Sequence, residues 1–105
     1  MRKRKDFERI FQSKNKIISE NFIIIICDNY LQKHRIAISI KKQIANAVQR
    51  NRMKRLIREI FRLNKYLIFS KKSPQDILII VKKNFCYEKF NFIEKELLHL
   101  WENLK

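Results

Sequence analysis

From Lys41 to Arg62 the chain carries eight Lys/Arg residues against one Glu, a local charge of +7 out of +15 overall. The same stretch places apolar side chains at helical spacing. At about 100° per residue, Ala45, Met53, Leu56, Ile57, Ile60 and Phe61 share one arc. Asn51, Arg52, Lys54, Arg55, Arg58 and Arg62 share the opposite arc, with Arg50 at the seam. Such a segment is stable only as an amphipathic helix with its apolar side pressed on other structure, and the pattern predicts one from about Asn46 to about Asn64. Glu59, the one acid on the cationic arc, stands where it can pair with Arg55 or Arg62. Solvated helix faces usually mix signs, so a face this one-sided is built to grip a polyanion, and nucleic acid is the polyanion expected. Arg50, Arg52, Lys54, Arg55, Arg58 and Arg62 are the candidate phosphate contacts, and Asn51 can hydrogen-bond a base or a phosphate oxygen.

Apolar runs flank this helix. Phe22 to Cys27 is a β-branched run typical of a buried strand. Arg35 to Ile40 alternates with period two, Ile36, Ile38 and Ile40 to one side and Ala37 and Ser39 to the other. Asp28-Asn29-Tyr30 signals a turn, so these two runs are expected to pair antiparallel through the connection at 28–34. Asp76 to Val81 reads as a third buried strand, closed by Lys82-Lys83-Asn84. Residues 4–13 read as a short helix with Phe7, Ile10 and Phe11 at helical spacing, and Ser13 to Asn21 as a polar stretch. Residues 65–75 read as a loop in which Ser73-Pro74 starts a turn. A last helix, about 88–104, aligns Ile93, Leu97, Leu100, Trp101 and Leu104. Strand–helix–strand over 36–81 is a βαβ unit, which predicts an α/β (α+β) fold with a small mixed sheet.

A chain of 105 residues suits one domain, and a hydrophobic fraction of 46% can fill its core. The net positive charge directs it to nucleic acid or an anionic membrane. The longest apolar run, Phe22 to Cys27, is too short to span a bilayer, and no signal-peptide pattern opens the chain, so no membrane role and a cytoplasmic location are expected. Cys27 and Cys86 lie in apolar surroundings without metal-ligand spacing and read as two buried free thiols. His34 and His99 stand apart, which argues against zinc. The chain has no glycine, which excludes a glycine-rich phosphate loop and leaves Asn or Asp to serve any turn needing φ > 0. Asp6, Glu8, Glu20, Asp28, Glu59 and Asp76 are scattered, so neither a catalytic pair nor a metal site on the protein is expected. Phe7 and Phe11 have two readings: a staple of the first helix to the sheet, or rings on which unpaired bases stack for roughly 1–3 kcal/mol each. The small Ala37 and Ser39 leave room for such a groove. Residues 87–105 carry a net −1 and read as structural.

The segment RIAISIKKQIANAVQRNRMKRLIRE, residues 35–59, closely resembles the signature of the bacterial ribonuclease P protein component family, above all at Arg50-Asn51-Arg52-x-Lys54-Arg55-x-x-Arg58-Glu59. Phe7-x-x-x-Phe11 resembles that family's N-terminal aromatic pair, Phe22 to Cys27 its first strand and Asp76 to Lys83 its last, so the resemblance covers nearly the whole chain. It implies a two-layer α/β sandwich of about four strands in the superfold of a ribosomal-protein domain, with a left-handed βαβ crossover that breaks the general rule. It also implies a single RNA-binding domain that is the accessory subunit of an endoribonuclease. There the catalytic RNA, not the protein, removes the 5′ leader of precursor tRNA using Mg2+ held mainly by RNA and substrate. The partners implied are the catalytic RNA and the leader, in a 1:1 ribonucleoprotein with monomeric protein and no small-molecule substrate. Carried onto this chain, Phe7 and Phe11 match the leader-stacking aromatics. Arg50, Asn51, Arg52, Lys54, Arg55 and Arg58 match the motif helix, and Lys42 and Asn46 its entry. The chain departs from the family at Gln43, where a second lysine is usual, at Ala37 and Ala45, where glycines are common, and at Ile25, often aromatic. Those departures predict weaker leader binding. A structural or ribosomal RNA-binding protein would explain the charge but not this helix set after this strand. A DNA-reading helix would want a helix–turn–helix partner before it, and a protein-only nuclease would want carboxylates.

Overall fold

The computed structural model describes residues 12, 15–28, 34–65 and 75–103. Within them the chain forms β1 (Lys16–Ile18), β2 (Phe22–Asp28), β3 (Arg35–Ser39), α1 (Ala47–Leu63), β4 (Gln75–Val81) and α2 (Phe90–Asn103). The strands make one mixed sheet in the order β1-β2-β4-β3, with β2 antiparallel to β1 and β4, and β3 parallel to β4. The α+β class and the four-strand mixed sheet are those expected. The proposed helix at 4–13 with Phe7 and Phe11, the turn at Asn29 and Tyr30, Ser73-Pro74 and Leu104 lie outside the described residues.

The antiparallel pairing expected between Phe22–Cys27 and Arg35–Ile40 does not form, because β4 lies between those strands. The reason is burial. All but one position of β4 is buried, and its side chains are apolar on both faces over Ile77–Val81. A strand of that kind is satisfied only with a neighbour on each edge and cover on each face. β3 has no fully buried residue, only half-buried and exposed ones, and suits the end of the sheet.

Phe22, Ile24 and Ile26 of β2 and Ile77, Ile79 and Val81 of β4 form the apolar layer beneath the helices. Met53, Ile57, Ile60 and Phe61 of α1 and Ile93, Leu97, Leu100 and Trp101 of α2 cover it. Each such side chain contributes about 1.5–3 kcal/mol of transfer free energy when fully buried. Phe61 meets Trp101 edge-on at 6.1 Å, and Phe85, from the loop after β4, meets Phe22 at 5.2 Å. On the other face of the sheet Ile25 and Leu78 are buried, with Ile23, Cys27, Ala37 and Ile80 packed around them. Cys86 is buried as expected, whereas Cys27, at the end of β2 on that second face, is only half-buried; both are free thiols.

β1 went unread in the sequence because its three residues turn only Ile17 inward, too little for a periodic signal. Polar contacts hold it instead. Glu96 of α2 accepts from Ser19 Oγ (2.5 Å), Asn21 N (3.0 Å) and Asn21 Nδ2 (2.7 Å), and Lys82 Nζ donates to Ser19 O at 2.8 Å. One carboxylate thus pins the β1–β2 turn to the second helix without a glycine.

At the other end of the sheet, Arg35 is paired with Asp76 across the β3–β4 register. Its Nε and Nη2 donate to the two carboxylate oxygens at 2.6 Å each, and Asp76 is 0% exposed. Bidentate geometry is what a buried carboxylate needs to offset its desolvation. We expect Arg35→Met, which removes that bidentate partner, to lower the unfolding free energy by about 3 kcal/mol in a urea titration. An unchanged midpoint would show that the pair does not hold β3 in register.

Candidate nucleic-acid interface

The residues that aim α1 are its caps and its apolar face. Asn46 is the N-cap: its Oδ1 accepts from Gln49 N at 2.8 Å, while Gln49 Oε1 accepts from Asn46 N at 3.2 Å, a reciprocal capping box. Asn64 closes the helix at φ −111°, ψ 25°, so no left-handed residue is required. Its Nδ2 bridges Ile60 O (2.8 Å) and Glu94 Oε2 of α2 (3.0 Å). Both expected helix boundaries are therefore met, and Asn46 has a structural duty that was not foreseen. The signal was present: an Asn three residues before a Gln is a capping-box pattern.

With Met53, Ile57, Ile60 and Phe61 turned inward, the rest of the helix faces out. Lys42, Asn51, Arg52, Arg55, Arg58 and Arg62 are exposed, and Arg50 and Lys54 half-buried. Among the described residues, no ion pair or side-chain hydrogen bond engages Lys42, Arg52, Lys54, Arg55 or Arg58. Arg50 differs: its Nη1 donates to Ala45 O at 2.8 Å and ties the helix to its own entry. Arg62 differs too. Its Nε donates to Glu59 Oε2 at 3.0 Å and its Nη2 pairs with Oε1, settling which arginine that acid takes. This hydrogen bond holds the Glu59 carboxyl below its ordinary range and raises Arg62. The pair's contribution is present above the ordinary Glu range and is lost as pH falls through the depressed value.

The outward face has two flanks. Asn51, Arg52 and Arg55, with Val48, Leu56 and Glu59, border an open groove that reaches Phe90 of α2. Arg58, Arg62 and Lys65 border a second recess with Phe61 and Ile36 of β3. Lys65 was not among the expected contacts, and Ile36 is 37% exposed there. Ala37 and Ser39 lie on the sheet face away from α1, Ala37 in the second apolar cluster and Ser39 exposed. A groove shared by them and the helix must therefore pass round the outer edge of β3. Phe7 and Phe11 are outside the described residues. Ile25, where the resembled family is often aromatic, is only 4% exposed.

Five of the described carboxylates hold other side chains or backbone groups. Asp76 holds Arg35, Glu59 holds Arg62, Glu96 holds Ser19 and Asn21, Glu94 holds Asn64, and Glu20 lies 3.6 Å from Lys83. Among the described residues no three His, Cys, Asp or Glu converge on a point a metal could share.

A cationic helix face held on an α+β sandwich, its one acid taken by Arg62, has the charge that suits a polyanion partner. The family model of ribonuclease P matches residues 1–105. The chain is 41% identical over 97 residues to the ribonuclease P protein component of Syntrophus aciditrophicus, covering 92% of this chain and 79% of that one. It is 34% identical over 105 residues to that of Alkaliphilus metalliredigens, covering 100% and 92%. Among solved structures, the RNase P protein from Thermotoga maritima superposes with a TM-score of 0.86 at 30% identity, covering 100% of this chain and 96% of that one. The chain belongs to the ribonuclease P protein component family, the protein subunit of the ribonucleoprotein of precursor-tRNA 5′ processing. The alternative of a structural or ribosomal RNA-binding protein falls away, and an RNA partner follows from the family.

Glu59→Gln releases Arg62 and removes the one acid on this face. Affinity for the RNA partner should rise, and the slope of log K against log salt should steepen by roughly 0.7–0.9, one added phosphate contact. An unchanged slope would place Arg62 outside the interface.

Proposed function

We propose that the outward face of α1 docks on the catalytic RNA of ribonuclease P and that the N-terminal aromatics receive the 5′ leader of precursor tRNA. The observation that carries this reading is the row Arg52, Lys54, Arg55 and Arg58, which projects from a rigidly packed helix with no acidic partner among the described residues. Cations held ready in this way lose little freedom on meeting phosphates, and guanidinium groups take them with two hydrogen bonds each. Lys42 and Asn51 extend the same surface. Arg50 and Asn46 shape it from within through the helix entry and cap.

The chemistry belongs to the RNA. Mg2+ is held there and on the substrate, and the protein, a cytoplasmic monomer in a 1:1 particle, lowers the Mg2+ demand by screening phosphate repulsion and holding the leader. Phe7 and Phe11 stack leader bases, and Ala37 and Ser39 give the leader room at the outer edge of β3. Ala37, Gln43 and Ile25 make that leader grip looser than the family pattern.

Reconstitution tests the reading. Added to catalytic RNA and precursor tRNA at low Mg2+, the protein should accelerate 5′ cleavage over RNA alone, and by itself it should cut nothing. No acceleration would overturn the proposal. Phe11→Ala should weaken binding of leader-bearing precursor by roughly 5- to 150-fold while sparing mature tRNA. Equal losses on both would make Phe11 a packing residue only.

A further inference from the structure

Where the two helices begin, aromatic and aliphatic surface lies open between arginines. Tyr87 is 82% exposed, and its hydroxyl accepts from Gln49 Nε2 at 3.2 Å. Gln49 also takes Asn84 Nδ2 at 3.2 Å on the Oε1 that closes the capping box. One side chain therefore joins the start of α1 to the loop before α2 and sets the Tyr87 ring beside it.

Val48, 78% exposed, precedes Gln49 and, with Leu56 and Phe90, floors the groove between α1 and the start of α2. The groove measures about 780 Å3 and is walled by Asn51, Arg52 and Arg55. Its one acid, Glu59, is occupied by Arg62. Apolar surface left open on a small protein marks an interaction site. Here the walls state the partner's charge: two guanidinium groups without acidic partners among the described residues fit phosphates. An apolar floor, with the exposed Tyr87 ring bonded to the residue that follows Val48, fits the flat face of a base, and the Asn51 carboxamide can meet its edge.

We propose that this groove, together with the Tyr87 ring that Gln49 holds at the start of α1, is a base-stacking site that takes an unpaired nucleotide of the catalytic RNA. The inference rests on the reading that α1 docks on that RNA, and it adds a contact that is not electrostatic. Phosphate contacts alone hold any RNA, whereas stacking an unpaired base requires a bulge or loop at a fixed place, so the site selects where the helix lands.

The test is binding of the full chain to catalytic RNA across a salt series, comparing Tyr87→Ala, Tyr87→Phe and Arg52→Ala. Tyr87→Ala should weaken binding by roughly 5- to 150-fold with the salt slope unchanged, because a lost ring releases no counterions. Tyr87→Phe keeps the ring and should restore binding to within about twofold. An unaltered thermal midpoint confirms that the variants fold. Wild-type affinity in Tyr87→Ala, with Arg52→Ala still weakened, overturns the stacking site and leaves the docking reading standing. Tyr87→Phe as weak as Tyr87→Ala also overturns it, by assigning the effect to the Gln49 hydrogen bond. Wild-type affinity in all three variants overturns both readings.

Discussion

The burial of Met53, Ile57, Ile60 and Phe61 against the isoleucine layer of β2 and β4 sets everything that α1 can do. Four such side chains contribute about 1.5–3 kcal/mol each. The like-charged pairs Arg50–Lys54, Lys54–Arg58 and Arg58–Arg62 each cost about 0.2–0.5 kcal/mol. Packing wins by several kcal/mol, so the helix tolerates a crowd of cations that an isolated helix would resist. Packing also fixes the rotation of the helix. Once that face is down, Arg52, Lys54, Arg55 and Arg58 are turned toward the outer side of the helix, a surface formed before any partner arrives.

The polar pairs do a different job. Arg35 with Asp76, and Glu96 with Ser19 and Asn21, sit at opposite ends of the sheet order and secure its two outer strands. Each takes an acid out of circulation. On the helix face itself the one acid, Glu59, is held by Arg62, so the rest of that face keeps its sign. A chain without glycine meets its turn requirements in the same way, with the Asn64 carboxamide and the Glu96 carboxylate supplying the hydrogen bonds.

The α1 boundaries were legible because caps and periodicity are local: Asn46 and Asn64 bracket a strict helical pattern. The family resemblance was equally legible, carried by Arg50 to Glu59. Strand order was not, because Phe22–Cys27 and Arg35–Ile40 are close in sequence and only the two-sided burial of β4, a tertiary property, separates them. The Arg35–Asp76 pair depends on that parallel register and was invisible for the same reason. Within the site, the sequence could name the cations but not sort them. The structure shows Arg62 committed to Glu59 and Arg50 to Ala45, and among the described residues it leaves Arg52, Lys54, Arg55 and Arg58 unengaged.

That row is the central claim, and its most direct measurement is the salt dependence of binding to the catalytic RNA. Replacing Arg52, Arg55 and Arg58 together with Gln leaves the buried face of α1 untouched. The slope of log K against log salt should then flatten by roughly two to three, about 0.7–0.9 for each lost phosphate contact. A triple variant that keeps the wild-type thermal midpoint and the wild-type slope would contradict it.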